Sequence, residues 1–272
     1  MIDYKEKYGK SLKLLQSPYD SRDYRFGDAI PMATYKIPKE YFTPDAGFTY
    51  DQSNSSQCCA SAYSYIRFLQ ESDKEQSELT TPFCPSFTYA NRIDGEDFEG
   101  MYLRSCCKKG REGSVLWGEM KYPNTYIGSK KEFLSRKEEL LEKANPFRIS
   151  SFYTCRNRKE IQVAIMETKA VLIGIPVFDC FYTPDKNGVI HYVKGQESQG
   201  GHAIVIDGFC EIDGKFYWRI KNSWNESWGN LGNGHAYLPE EYPFMDDVYV
   251  ICDYETDMKF KEYKEKFYGN EE

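Results

Sequence analysis

Asp51-Gln-Ser-Asn-Ser-Ser-Gln-Cys-Cys-Ala-Ser-Ala-Tyr-Ser-Tyr-Ile-Arg-Phe-Leu69 reads as a polar loop that runs into a helix, with a cysteine at the join. From Cys58 onward Ala62, Tyr65, Ile66 and Leu69 fall on one helical face, and no Pro or Gly interrupts the run. Asn54, Ser55 and Ser56 are of the type that caps free N–H groups at a helix start. A thiol at that point feels the positive end of the helix dipole, which favours the nucleophilic thiolate. The stretch therefore predicts a helix and a chemistry together.

A cysteine taken singly is usually an inert, buried side chain, so the reading of Cys58 depends on its company. The 272 residues carry 35 Lys and Arg against 42 Asp and Glu, a net charge of −7, with no basic patch to suit nucleic acid. No run approaches the length of a membrane span. The start, Met1-Ile-Asp-Tyr-Lys-Glu-Lys-Tyr-Gly-Lys10, lacks the apolar core of a secretory signal. Nine cysteines, an odd number without a signal, point to reduced thiols and a cytoplasmic location. The vicinal pairs Cys58-Cys59 and Cys106-Cys107 lack zinc-ligand spacing, so no metal is expected.

Along the chain, residues 1–35 read as an extended arm packed on the body. Residues 36–146 are mainly helical, with helices predicted at the Cys58 stretch, over Pro85–Ile93 with Ser86 as cap, over Met101–Lys109 closed by Gly110, and over Lys130–Ala144. Residues 147–258 change character. Strands are predicted over 147–153, 171–178, 202–209, 215–221, 234–238 and 248–252. A further strand, 189–193, is expected to follow the hairpin signal Asn187-Gly188, and a helix to span 157–168. Residues 259–272 read as a charged, solvated helix or tail.

A nucleophilic thiol needs a base, and imidazole suits that work near neutral pH. The base in turn needs a third group to hold its ring. The chain has three histidines, His191, His202 and His235. His202 opens a strongly apolar strand after Gly200-Gly201, and the next strand leads into Lys221-Asn-Ser-Trp-Asn-Glu-Ser-Trp-Gly229.

These segments resemble the papain-like cysteine peptidases, with the atypical bacterial, phage and viral members the nearer in character. Asp51-Gln52…Cys58-Cys-Ala60 is similar to the family's Gln-x5-Cys-x-Ala pattern, Gly201-His202-Ala203 to its histidine strand, and Asn222-Ser-Trp-x4-Gly to its Asn-Ser-Trp-Gly block. His202 follows Cys58 by 144 residues, within the usual range of about 130–150. Asn222 lies 164 residues beyond Cys58, as an insertion at the Asp213-Gly214 turn would explain. The resemblance runs from about Ile37 to Cys252. It implies an α+β, papain-like two-lobe fold: a helical N-terminal lobe, an antiparallel β-barrel-like C-terminal lobe and an active-site cleft between them. It also implies a thiol protease, a hydrolase working through an acyl-enzyme. In it Cys58 is the nucleophile, His202 the general base and acid, Asn222 the group that orients the imidazole, and Trp224 its shield. The Gln52 amide and the Cys58 backbone N–H form the oxyanion hole. The family's Gly-rich cleft wall maps to Gly95–Gly100, which makes Gly100 and Gly201 the expected substrate-binding glycines. No cofactor is implied. The expected partners are peptide or protein substrates, with no nucleic acid, membrane or metal.

Departures from the pattern keep two alternatives in view. Cys59 stands where the family usually has an aromatic residue, Ser53–Gln57 lacks the usual glycines, Asn225 replaces the glycine of the Asn-Ser-Trp-Gly block, and Gly201 replaces a residue that is often polar. A catalytically silent protein-binding module is one alternative, and an acyl-transferring transamidase or isopeptidase is the other. About 35 residues precede the part that resembles a peptidase. This is too short for a full helical inhibitory propeptide, so the arm is expected to be structural and activity to need no removal of a large pro-segment.

Overall fold

The chain is seen as a computed structural model that describes residues 9–74, 79–95, 98–245 and 247–269. In chain order the first half carries β1 (Leu14–Leu15), α1 (Phe26–Ala29), β2 (Tyr41–Phe42), α2 (Cys58–Ser72), α3 (Pro85–Ala90), β3 (Met101–Tyr102), α4 (Leu103–Lys109), α5 (Tyr126–Ser135) and α6 (Lys137–Ala144). The second half carries β4 (Ser151–Thr154), α7 (Arg158–Thr168), β5 (Val171–Pro176), α8 (Asp179–Tyr182), β6 (Gly201–Ile212), β7 (Lys215–Lys221), β8 (His235–Pro239), β9 (Val248–Cys252) and α9 (Tyr254–Tyr268).

α2 is buried on every side from Cys58 to Glu71, not along one face as its spacing predicts. It lies between the lobes, so even its polar positions meet protein. One side packs on Leu172, Val205 and Ile251 of the sheet. Arg67 on the same helix is neutralised by Glu71 and donates to Gln70 at 2.7 Å. The expected Asn and Ser caps are not used. Gln57 is the N-cap residue and makes no side-chain cap bond, because its amide turns away to the Asn124 carbonyl at 2.9 Å. Ser86 likewise does not cap α3, whose N-cap is Cys84; its hydroxyl donates to the Lys121 carbonyl at 2.6 Å. The helical lobe closes around a small core that includes Phe87, Phe133, Leu140 and Ala144. The single helix predicted over 130–144 breaks at Arg136, which has left helical geometry and donates to the Glu119 carbonyl at 2.7 Å while pairing with Glu139.

The second lobe is built on one curled sheet with β6 as its spine, which the short strands β1, β2 and β3 of the first half also join. Its strand order is β3-β1-β6-β5-β9-β4, with β7 between β6 and β8 and β2 on β6. Asp213 and Gly214 both take positive φ and turn β6 tightly into β7, as the Asp-Gly pair predicts. The strand predicted over 189–193 does not form. The Asp185 carboxylate takes the N–H groups of Asn187 and Val189 and fixes a loop, leaving Val189 a single bridge to Tyr237. The C-terminal segment is helical from Tyr254. It docks through Phe260, which is buried edge-on against Phe26, and it is therefore not wholly solvated.

The arm packs on the body by adding a short strand to its sheet. Leu14 in β1 pairs in parallel with Met101 of the helical lobe and in antiparallel with Gly201 of the β lobe, so one short strand spans the groove between them.

Candidate active site

Cys58 is the first residue of α2, His202 the second of β6, and Asn222 follows the end of β7. β6 and β7 pair in antiparallel with Val205 opposite Lys221, which brings the beginning of one strand beside the end of the other. His202 Nε2 and Asn222 Oδ1 are 2.8 Å apart. The same Oδ1 accepts the Ser223 backbone N–H at 2.8 Å. A backbone N–H can only donate, so the atom there is the amide oxygen, and His202 Nε2 must carry the hydrogen between ring and amide. A neutral ring held this way presents a bare Nδ1. That atom is buried without a hydrogen bond of normal geometry among the described residues, and Cys58 is the thiol that feels the ring.

Aromatic side chains exclude water from this pair. Trp224 lies over His202 with ring centres 4.9 Å apart, Phe181 meets Trp224 edge-on at 5.3 Å, and Tyr182 stacks on Trp224 at 5.2 Å. Trp228 donates to the Phe181 carbonyl at 3.2 Å and completes the wall. Gln52 joins the lobes: Ser223 Oγ donates to its Oε1 at 2.7 Å, and its backbone N–H bonds to the Ser223 carbonyl at 2.9 Å. That leaves the Gln52 Nε2 facing the Ser55 carbonyl at 2.9 Å and the Ser11 carbonyl of the arm at 3.5 Å.

The arm covers the site. Ser11 and Ser56 share a hydrogen bond at 2.8 Å, Lys10 pairs with Asp51 at 3.4 Å and lies over Trp224, and Leu14 is buried. Cys58, His202 and Gln52 are each 0% exposed. Gly100 and Gly201 both lie against an extended chain. A Cβ on Gly100 would sit 1.8 Å from the Lys13 carbonyl oxygen, and one on Gly201 would sit 2.5 Å from that of Leu14. The chain that approaches both glycines here is the arm itself.

The thiol departs from its sequence expectation. Contact with the Cys59 thiol, together with full burial, pushes Cys58 well above the usual thiol range, against the lowering pull of His202. The helix start and the imidazole are both present, but a sealed site withholds the solvation that a thiolate needs.

The other histidines lie apart from the thiol. His191 is exposed and pairs with Asp185 at 2.8 Å, while His235 is buried against Asp207 at 2.9 Å. Sequence reasoning passed over Phe181, Tyr182, Trp228 and Ser223. The last two stand inside the Asn222–Gly229 block and were within reach, whereas Phe181-Tyr182 arrives from a four-residue helix with no pattern of its own. Among the described residues no group of three or more His, Cys, Asp or Glu could hold a metal, and no helix is long and apolar enough to cross a membrane.

Comparison with known proteins gives a consistent result. The sequence model of the papain family cysteine proteases matches residues 101–243, just over half of the chain. Peptidase 1 of Dermatophagoides pteronyssinus is 33% identical over 98 residues, which covers 33% of this chain and 30% of that protein. Cathepsin B-like cysteine proteinase 3 of Ostertagia ostertagi is 36% identical over 83 residues, covering 30% of this chain and 47% of that protein. The chain thus spans less than half the length of these relatives. Xylellain, a cysteine protease from Xylella fastidiosa, has a similar structure with a TM-score of 0.74 at 19% identity, covering 90% of this chain and 96% of the other.

Proposed function

Because the chain belongs to the papain family of cysteine proteases, we propose that it hydrolyses peptide bonds by nucleophilic attack of Cys58. The observation that carries this reading is the His202–Asn222 pair, which leaves Nδ1 bare on a ring that lowers the Cys58 thiol at the uncapped start of α2. His202 takes the thiol proton, and the thiolate attacks the substrate carbonyl. The Gln52 Nε2 and the Cys58 N–H then receive the developing oxyanion, at the place the Ser11 carbonyl approaches in the closed form. The imidazolium returns its proton to the departing amine, and water, activated by the same ring, releases the acyl-enzyme. Asn222 holds the ring in the tautomer required, and Trp224 keeps water from that hydrogen bond.

Substrate reaches Cys58 only when the arm leaves the groove, since the arm's backbone already fills the approach to Gly100 and Gly201. A peptide mixture incubated with the full chain, with and without an added primary amine, tests the reading. New free carboxyl ends that disappear in Cys58→Ala support hydrolysis. Amine-capped ends would indicate acyl transfer, and intact peptides at every condition, including those that displace the arm, would leave a binding module.

A further inference from the structure

Behind Cys58 lie two thiols for which peptide hydrolysis has no use. Cys59, the next residue of α2, is fully buried and donates to the Met101 carbonyl at 3.1 Å. Cys106 on α4 is also fully buried, with its thiol 3.4 Å from the Met101 sulfur. Cys59 and Cys106 therefore meet at the same residue, Met101, and both belong to the buried cluster that holds Cys58. One buried cluster thus carries thiols from the candidate nucleophile into the helical lobe.

We propose that Cys59 and Cys106 are a resolving pair: when hydrogen peroxide oxidises Cys58, they take over the oxidation and hold it as a Cys59–Cys106 disulfide, which returns Cys58 to its reduced form. In the first step the Cys58 thiolate attacks one peroxide oxygen. An S–O bond forms, the O–O bond breaks, hydroxide leaves, and the sulfur becomes a sulfenic acid. Cys59 then attacks the Cys58 sulfur, an S–S bond forms, and the sulfenic oxygen departs as water with the Cys59 proton. Cys106 next attacks the Cys59 sulfur and expels the Cys58 thiolate, while its proton neutralises the hydroxide of the first step. One peroxide and two thiols have become one disulfide and two waters.

Geometry drives the last exchange. Consecutive Cα atoms are about 3.8 Å apart, shorter than the roughly 4.4–6.8 Å that a relaxed disulfide spans. A Cys58–Cys59 bond at the start of α2 is therefore strained and readily attacked. Cys106 sits on a different helix and is free of that restriction. Without a resolving thiol, a sulfenic acid proceeds to sulfinic acid, which thiol reductants do not reverse. Peroxide meets Cys58 only in the arm-displaced form, which is also the form that admits substrate, so the relay protects the molecule when it is exposed.

This inference rests on Cys58 being the reactive thiol but not on the reaction it performs, so its test is read by mass and not by turnover. The full chain is treated with dilute hydrogen peroxide, free thiols are alkylated, and peptides are mapped without reduction. The expected product is a Cys59–Cys106 linked peptide pair with Cys58 still alkylated, and the link disappears on reduction. In Cys58→Ala the link is lost because the entry point is gone. In Cys106→Ala and Cys106→Ser the link is lost and Cys58 gathers sulfinic acid faster than in the wild type, while Cys107→Ala retains the link. The relay is overturned if the link forms equally in Cys58→Ala, or if wild type and both Cys106 variants gather sulfinic acid on Cys58 at the same rate.

Discussion

His202 and His235 stand two strands apart on the same sheet, and each sets its Nε2 against a side-chain oxygen, at 2.8 Å from Asn222 and 2.9 Å from Asp207. The partners differ in charge and in what surrounds them. Asp207 is a buried carboxylate that also accepts from Arg219 at 2.7 Å, and the second nitrogen of His235 faces the Gly232 carbonyl at 3.3 Å. Around His202 three buried polar atoms have no hydrogen-bond partner among the described residues: His202 Nδ1, Asn222 Nδ2 and Trp224 Nε1. A satisfied buried network specifies a fold, whereas buried polar atoms left open need another explanation. The amide of Asn222 fixes the ring without supplying a charge and leaves its Nδ1 open. The carboxylate of Asp207 ties its ring into a closed ionic cluster.

Substitutions that separate folding from turnover probe this contrast directly. His202→Ala should lower peptide cleavage by at least about 10³-fold, the upper part of the range for loss of a positioned general base, and Cys58→Ala should abolish it. Both proteins should lose only the packing of the truncated side chain and keep urea midpoints well above that of Asp207→Ala, because neither substitution strands a buried charge. Asp207→Ala should behave in reverse. Removing one partner of a buried ion pair costs about 3–5 kcal/mol, so its urea midpoint should fall sharply while turnover per folded molecule persists. Burial by itself would raise the Asp207 carboxyl, but His235 and Arg219 outweigh it and hold the group below its ordinary value. Its stabilising contribution is therefore present above the unfolded-state value and is lost as pH falls through the lower folded one. Asp207→Asn should lack that acid-side loss. A midpoint for His202→Ala as low as that of Asp207→Ala would erase the distinction.

The arm gives a smaller effect of opposite sign. Burying a leucine side chain contributes about 1.5–3 kcal/mol, so Leu14→Asp should favour the arm-displaced form by about 10–100-fold, at 1.4 kcal/mol per factor of ten. Cleavage and Cys58 alkylation should both rise, with the Cys58→Ala background unchanged. No rise in either would mean that Leu14, though buried, does not hold the arm down.

How much of this could be read from the sequence varies with the range of the interaction. The α+β division, the β6–β7 turn at Asp213-Gly214 and the company of Cys58, His202 and Asn222 were legible, because each rests on local pattern or on residue types in a fixed order. Full burial of α2 was not, since its second buried side depends on which lobes enclose it. The break at Arg136 follows from Glu119, 17 residues away in the chain. The missing strand at 189–193 follows from Asp185, whose carboxylate outcompetes the hairpin signal at Asn187-Gly188. Least legible was the course of the arm. Lys10 to Leu15 has no repeat, cap or motif, and its place in the groove is set by Gly100 and Gly201, two residues nearly a hundred and nearly two hundred positions downstream.

The pH dependence of Cys58 alkylation then weighs the arm against the imidazole. Contact with Cys59 and complete burial raise the thiol, and His202 lowers it, with the upward influences dominant in the closed form. A raised thiol is neutral at neutral pH, so the alkylation rate of the full chain should climb with pH through and beyond the ordinary thiol value of about 8.5. Leu14→Asp should lower the inflection, because solvent re-enters and the burial contribution shrinks while the pull of His202 remains. Cys59→Ala should lower it as well, by removing the neighbouring thiol. His202→Ala should raise it in either background. If Leu14→Asp alkylates faster at every pH with an unchanged inflection, the arm governs access alone, and the high thiol value belongs to the contact with Cys59. If the inflection falls by about one unit, equivalent to tenfold in thiolate population, the strand that closes the groove also holds the nucleophile in its protonated form, and opening the groove and arming the thiol are one event.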